Sequence, residues 1–152
     1  MPASPSRFTT RYVAAASLLF FTAGTPAQTW FPGHFLSAVS LAYATTGNPL
    51  FKIKADTMVA SFAKVQQKRG TGDMSLNGVN VPWYVYHKAF AGLVDADLWT
   101  GNPKGLEVAK HLADWVGVKS GAMGKADFQR MRQAEFGGME EVLETSICGP
   151  AT

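Results

Sequence analysis

Cysteine is almost missing from this chain: Cys148 stands alone among 152 residues. A single thiol excludes an intrachain disulfide and a thiolate-built metal cluster, and it leaves the redox compartment unread. Charge is scarce too, at 16% of residues, where an average soluble domain carries about a quarter. The 14 basic and 11 acidic residues are scattered, and the longest basic cluster is Lys68 and Arg69 after a Gln pair. That pattern is a solvated surface and excludes a nucleic-acid footprint, which needs basic residues gathered on one face. Long apolar runs are lacking as well. Gly24 and Pro26 close the best stretch well short of the roughly 20 residues of a membrane span. No phosphate-cradling glycine loop, nucleophile elbow or zinc-hydrolase spacing of His and carboxylate occurs.

What the chain does have is apolar bulk, 47% hydrophobic and 12% aromatic residues, enough for one domain with a real core. Residues 1–27 have the three-part layout of a secretory signal: Arg7 and Arg11, an apolar stretch from Tyr12 to Ala23, then Thr25-Pro26-Ala27. On that reading the mature protein starts near Gln28, residues 28–152 form the domain, and the protein is secreted or periplasmic. The competing reading makes Leu18 to Phe21 a core segment and the protein cytoplasmic.

A repeat organises the rest. Thr46-Gly47-Asn48-Pro49 returns as Thr100-Gly101-Asn102-Pro103, 54 residues on, and Ala42, Ala55, Met58 and Phe62 align with Ala96, Ala109, Leu112 and Val116. Such a period marks a repeated supersecondary unit. Before the first turn Leu36, Val39, Ser40 and Tyr43 share a face; after it Ala55, Met58, Val59, Phe62 and Val65 do. In the second unit Phe90, Leu93, Val94 and Leu98 lead into the turn, and Leu106, Ala109, Leu112, Ala113 and Val116 follow it. Spacings of three and four predict helices, so each unit is a helical hairpin. Glycine supplies the left-handed residue that ends the first helix, and proline suits the first turn of the next. The link from Gly70 to Pro82 has no helical period. A third unit opens at Lys125 to Glu144 around a Gly137-Gly138 break. The predicted class is all-α, about two and a half hairpins of a ring.

Polar and aromatic residues outside the core pattern gather at one end of the first helix of each unit. They are Gly33-His34, the run Trp83-Tyr84-Val85-Tyr86-His87-Lys88, and Glu135-Phe136-Gly137-Gly138-Met139-Glu140-Glu141. His34 lies 12 residues before Thr46 and His87 lies 13 before Thr100, so both stand about three and a half turns upstream of equivalent turns. In a ring of hairpins those ends share a rim. Aromatic faces, imidazoles and carboxylates on one rim suit a carbohydrate, whose rings stack and whose hydroxyls both donate and accept. Each residue has a plainer reading. His34 at a helix start can cap it or sit in water, Trp83 and Tyr84 can be packing, and Glu140 and Glu141 can complement a helix N-terminus, with one of the two facing inward. His87, inside the aromatic cluster, is the stronger site residue. His111, beside Lys110, reads as solvated.

These blocks in this order resemble the β-L-arabinofuranosidase family of glycoside hydrolases. The blocks are Gly33-His34-Phe35-Leu36-Ser37-Ala38, His87-Lys88 with Ala91-Gly92-Leu93, Leu106-Glu107-Val108-Ala109 with Ala113-Asp114-Trp115-Val116, and Glu135-Phe136-Gly137-Gly138-Met139 with Glu141-Val142-Leu143. The resemblance covers about Gly33 to Leu143. It implies part of an (α/α)6 barrel, cleavage of β-linked L-arabinofuranosides with retention, and an arabinose-containing carbohydrate as ligand. It implies sugar contacts at His87 and Glu141, with His34 a weaker candidate; Trp83, from the aromatic run, is a further substrate-binding candidate, and no residue of the chain is expected to be catalytic. The acid/base glutamate of such enzymes, and their cysteine nucleophile in a zinc site, lie downstream of these blocks, so no cofactor is expected in this chain. Glu140 stands where members commonly have Asn, and residues 70–82 are short where relatives carry a longer segment. Cys148 reads as a passenger. The expectation is an N-terminal portion of such a hydrolase, inactive alone, with another chain as the partner that would complete the barrel. The alternatives are a non-catalytic helical carbohydrate-binding or interaction module, and a nonfunctional gene fragment.

Overall fold

The computed structural model describes residues 31–72, 82–134 and 138–148. The signal-like residues 1–27, most of the link before Pro82, and Glu135 to Gly137 lie outside the described residues. Those described are all-α, in six helices: α1 Phe31–Thr46, α2 Pro49–Arg69, α3 Pro82–Thr100, α4 Pro103–Gly121, α5 Lys125–Ala134 and α6 Met139–Cys148. None of these is long and apolar enough to cross a membrane.

The duplicated turn does the same work twice. Gly47 and Gly101 take φ of 63° and 68°, the left-handed region that a Cβ disfavours. Their N–H groups donate back to the Tyr43 and Asp97 carbonyls at 2.8 and 3.0 Å, closing α1 and α3. The next residue opens the following helix: the side chains of Asn48 and Asn102 accept from the N–H of Leu50 and Lys104 at 3.0 and 3.1 Å. Each asparagine satisfies one of the donors that a helix start leaves unpaired. Pro49 and Pro103 occupy the first turn, where no donor is needed.

Apolar faces from both hairpins meet in one core, with Leu36 and Val39 from α1, Ala55 and Val59 from α2, Phe90 and Leu93 from α3, and Val108 and Leu112 from α4. Val142 of α6 closes one side of it. Each large apolar side chain so buried stabilises the fold by about 1.5–3 kcal/mol. Leu98, expected on the core face, is 43% exposed. The buried face of α3 instead runs through Leu93, Ala96 and Thr100, at steps of three and four, and Leu98 stands about 200° around the helix from Ala96.

Helix α3 is the hub, packing against α1, α4, α6 and α2. Gly33 of α1 lies against the backbone of Lys88 and Ala89, and Gly92 of α3 lies against the Gly33 carbonyl and Leu36. The two sets of numbers rise together, so α1 and α3 run parallel and almost touch main chain to main chain. Helix α4 runs antiparallel to α3, with Gly105 under Leu93 and Trp115 beside Tyr86 at a ring separation of 4.9 Å. The hairpins are also stitched by polar contacts. Lys52 Nζ donates to the Thr100 carbonyl at 2.7 Å, Asn102 Nδ2 to Asp56 Oδ1 at 2.7 Å, and the buried Gln66 Nε2 to the Val108 carbonyl at 3.1 Å. The result is the layering of an α/α toroid, α1 and α3 parallel and α2 and α4 returning beside them.

Candidate functional site

Parallel packing of α1 and α3 fixes where the early residues of each helix stand. Because Gly33 sits on Lys88 and Ala89, its neighbour His34 falls beside the first turns of α3. Helix α6 adds a third element: Gly138, at its start, lies directly against the His87 imidazole. The ends of α1, α3 and α6 therefore meet at one place.

Tyr84 stands between the two imidazoles. Its hydroxyl is 3.4 Å from His34 Nε2, and its ring meets the His87 ring edge-on with centroids 6.2 Å apart. The Lys88 ammonium lies 5.1 Å from the Tyr84 ring centroid, within reach of the negative aromatic face. His34 and Tyr84 are exposed and His87 is half-buried. Burial, which disfavours the imidazolium, lowers the pKa of His87 below its ordinary value. The positive charge of Lys88 lowers it further, Glu141 opposes both, and His34 adds a small push downward. The shift favours the neutral imidazole, which offers one nitrogen as donor and the other as acceptor.

The expected site residues are distributed unevenly. His34 and His87 share the cluster but are joined through Tyr84. Glu141, on the first turn of α6, is exposed and acts on His87 through its charge. Trp83 is half-buried, packs on the hydrophobic core and tilts against Tyr86 at 6.3 Å. Adjacent helical residues point about 100° apart, so with Trp83 turned to the core it is Tyr84 that looks toward His34. The sequence signal for Tyr84 was its place in the aromatic run, which does not say which of two neighbours faces the rim. His111 is exposed and lines a separate groove between α2 and α4 floored by Ala60, Ala63 and Val108.

Among the described residues no group of three or more His, Cys, Asp or Glu side chains is placed to hold a metal ion. Glu141 and Cys148 both belong to α6.

A family model described as "Beta-L-arabinofuranosidase, GH127 catalytic domain" matches residues 22–145. No curated protein and no solved structure matches the chain.

Proposed function

Because the chain belongs to the GH127 β-L-arabinofuranosidase catalytic-domain family, we propose that the end formed by α1, α3 and α6 is a sugar-binding rim for arabinofuranosides. The observation that carries this reading is the convergence of His34, Tyr84 and His87 around hydrogen-bonding atoms held by two parallel helices. A neutral His87 and the carboxylate of Glu141 can between them donate to and accept from ring hydroxyls. Tyr84, 37% exposed, offers apolar ring surface to the sugar's C–H groups.

The same reading makes this chain an N-terminal portion of the catalytic domain, one that binds without turning over. On this reading the chain supplies recognition groups, and the reacting pair of a retaining enzyme is assigned to residues downstream. Catalysis would come from residues beyond the described ones or from another chain that completes the barrel. Export, with cleavage near Gln28, is part of the proposal, and the mass of the mature N-terminus tests it.

The test of function is hydrolysis of an aryl β-L-arabinofuranoside by the purified chain, with and without zinc, alongside circular dichroism. A helical sample that binds the arabinoside and releases no aryl group supports the reading. Turnover overturns the claim of inactivity and points the search for a nucleophile first at Cys148. A helical sample that neither binds nor hydrolyses removes the sugar reading.

A further inference from the structure

The sugar-binding reading leaves open which atoms select the sugar, and one pair in the rim is built for it. Tyr84 Oη and His34 Nε2 stand 3.4 Å apart, long for a hydrogen bond of this kind. Both residues are exposed, Tyr84 at 37%. Their spacing is not left to flexible side chains alone. His34 follows Gly33, whose backbone is wedged against Lys88 and Ala89, one helical turn along α3 from Tyr84. The Tyr84 ring is held on two further sides, by the edge-on His87 ring and by the Lys88 ammonium. The Gly33 contact sets how closely the two helices approach at this end, and Tyr84 Oη and His34 Nε2 stand there at a separation that neighbouring hydroxyls on one sugar ring can span.

We propose that Tyr84 Oη and His34 Nε2 form a two-atom clasp for a pair of neighbouring ring hydroxyls, with Tyr84 a specificity-determining residue of the rim. This rests on the sugar-binding reading and adds to it a residue and a recognised group. A phenol hydroxyl donates once and accepts, and an imidazole nitrogen does either according to tautomer. The clasp therefore fits a diol, in which each hydroxyl also does both. A sugar lacking one of the two hydroxyls leaves one arm unpaired and loses the advantage of the fixed spacing.

The experiment is calorimetric titration of the full chain with methyl β-L-arabinofuranoside and with its 2-deoxy and 3-deoxy analogues, on the native protein, Tyr84→Phe and His34→Gln. Tyr84→Phe keeps the ring that His87 and Lys88 contact, and circular dichroism confirms its helices. The expected result is binding of the parent glycoside weakened roughly three- to tenfold by Tyr84→Phe. That loss disappears on one deoxy analogue, and the His34→Gln loss disappears on the other; both disappearing on the same analogue would overturn the clasp. If the native chain binds the glycoside and Tyr84→Phe binds it equally well, the clasp is overturned while the sugar reading stands. Equal losses on the parent and both analogues also overturn it, because an indirect effect of the ring does not distinguish hydroxyls. A native chain that binds none of the three overturns the sugar reading and the clasp together.

Discussion

Gly138 abuts the imidazole of His87 so closely that a Cβ at position 138 would overlap ring atoms Cε1 and Nε2. Gly138, just ahead of α6, and His87 of α3 therefore occupy one close-packed joint, and the start of α6 holds the ring in place. An alanine at 138 has to displace either the imidazole or α6. Gly138→Ala is expected to cost about 1–3 kcal/mol, as overpacking does, and to move the His87 ring resonances in NMR. Gly117, inside α4, has nothing within 4 Å of where a Cβ would go. Gly117→Ala should instead stabilise by about 0.5–1 kcal/mol through helix propensity. Urea unfolding of both variants checks the pair, and equal effects would contradict the packing at Gly138.

His87 should make stability depend on pH. Its folded pKa lies below the ordinary value of 6.5 because burial and Lys88 disfavour the charged ring. The unfolded chain consequently binds more protons in the window below about 6.5, so stability rises with pH there. The contribution is fully present above the unfolded value and is lost as the pH falls toward the lowered folded one. Unfolding midpoints at steps from pH 8 to pH 5 should fall on the acid side, and His87→Gln should flatten that part of the curve. An unchanged slope in the variant would assign the dependence elsewhere.

The two cap asparagines should not be equivalent. Both accept from a helix-start N–H, and loss of such a cap costs about 0.5–2 kcal/mol. Asn102 also donates to Asp56 Oδ1 across the two hairpins at 2.7 Å. Asn102→Ala should therefore cost more than Asn48→Ala, by up to about 1 kcal/mol. A double-mutant cycle with Asp56→Ala isolates the difference, and additivity in that cycle would remove the cross-hairpin bond from the account.

Much of this was legible in the residues. The duplicated Thr-Gly-Asn-Pro turn and the spacings of three and four place α1 to α4, because a left-handed glycine and an apolar stripe are local properties that a sequence carries directly. The cap role of the asparagines is just as local, but the Gly and Pro signals already account for the turn without it. The family relation likewise follows from blocks in order. Sequence could not choose between Trp83 and Tyr84, because which way a helix is rotated depends on what packs against it, and here Gly33 and Gly92 set that rotation for α1 and α3. Leu98 was misplaced for the same reason: Ala96 and Thr100 take the buried side of the last turn. The joint between Gly138 and His87 links positions 51 residues apart, and no periodicity encodes such a pairing.

Ser40 offers a test of the core itself. It is fully buried in α1, and its hydroxyl has no hydrogen-bond partner among the described residues. An unpaired buried hydroxyl carries a desolvation penalty, so Ser40→Ala should leave the fold unchanged and raise its stability by about 1 kcal/mol. Thermal unfolding measures this directly. A loss of stability would show that the hydroxyl has a partner in solution.

The seam between Gly33 and Lys88 also sets an order of events during synthesis. The α1–α2 and α3–α4 hairpins are built from contacts near in sequence and can form as soon as each emerges. The seam joins residues 55 positions apart and has a larger loop to close before any reward. On the ribosome, His34 has no partner until α3 has cleared the exit tunnel. The end where α1, α3 and α6 meet is therefore finished after its turns, and a pause in translation within α3 leaves the first hairpin without the helix that His34 stands beside.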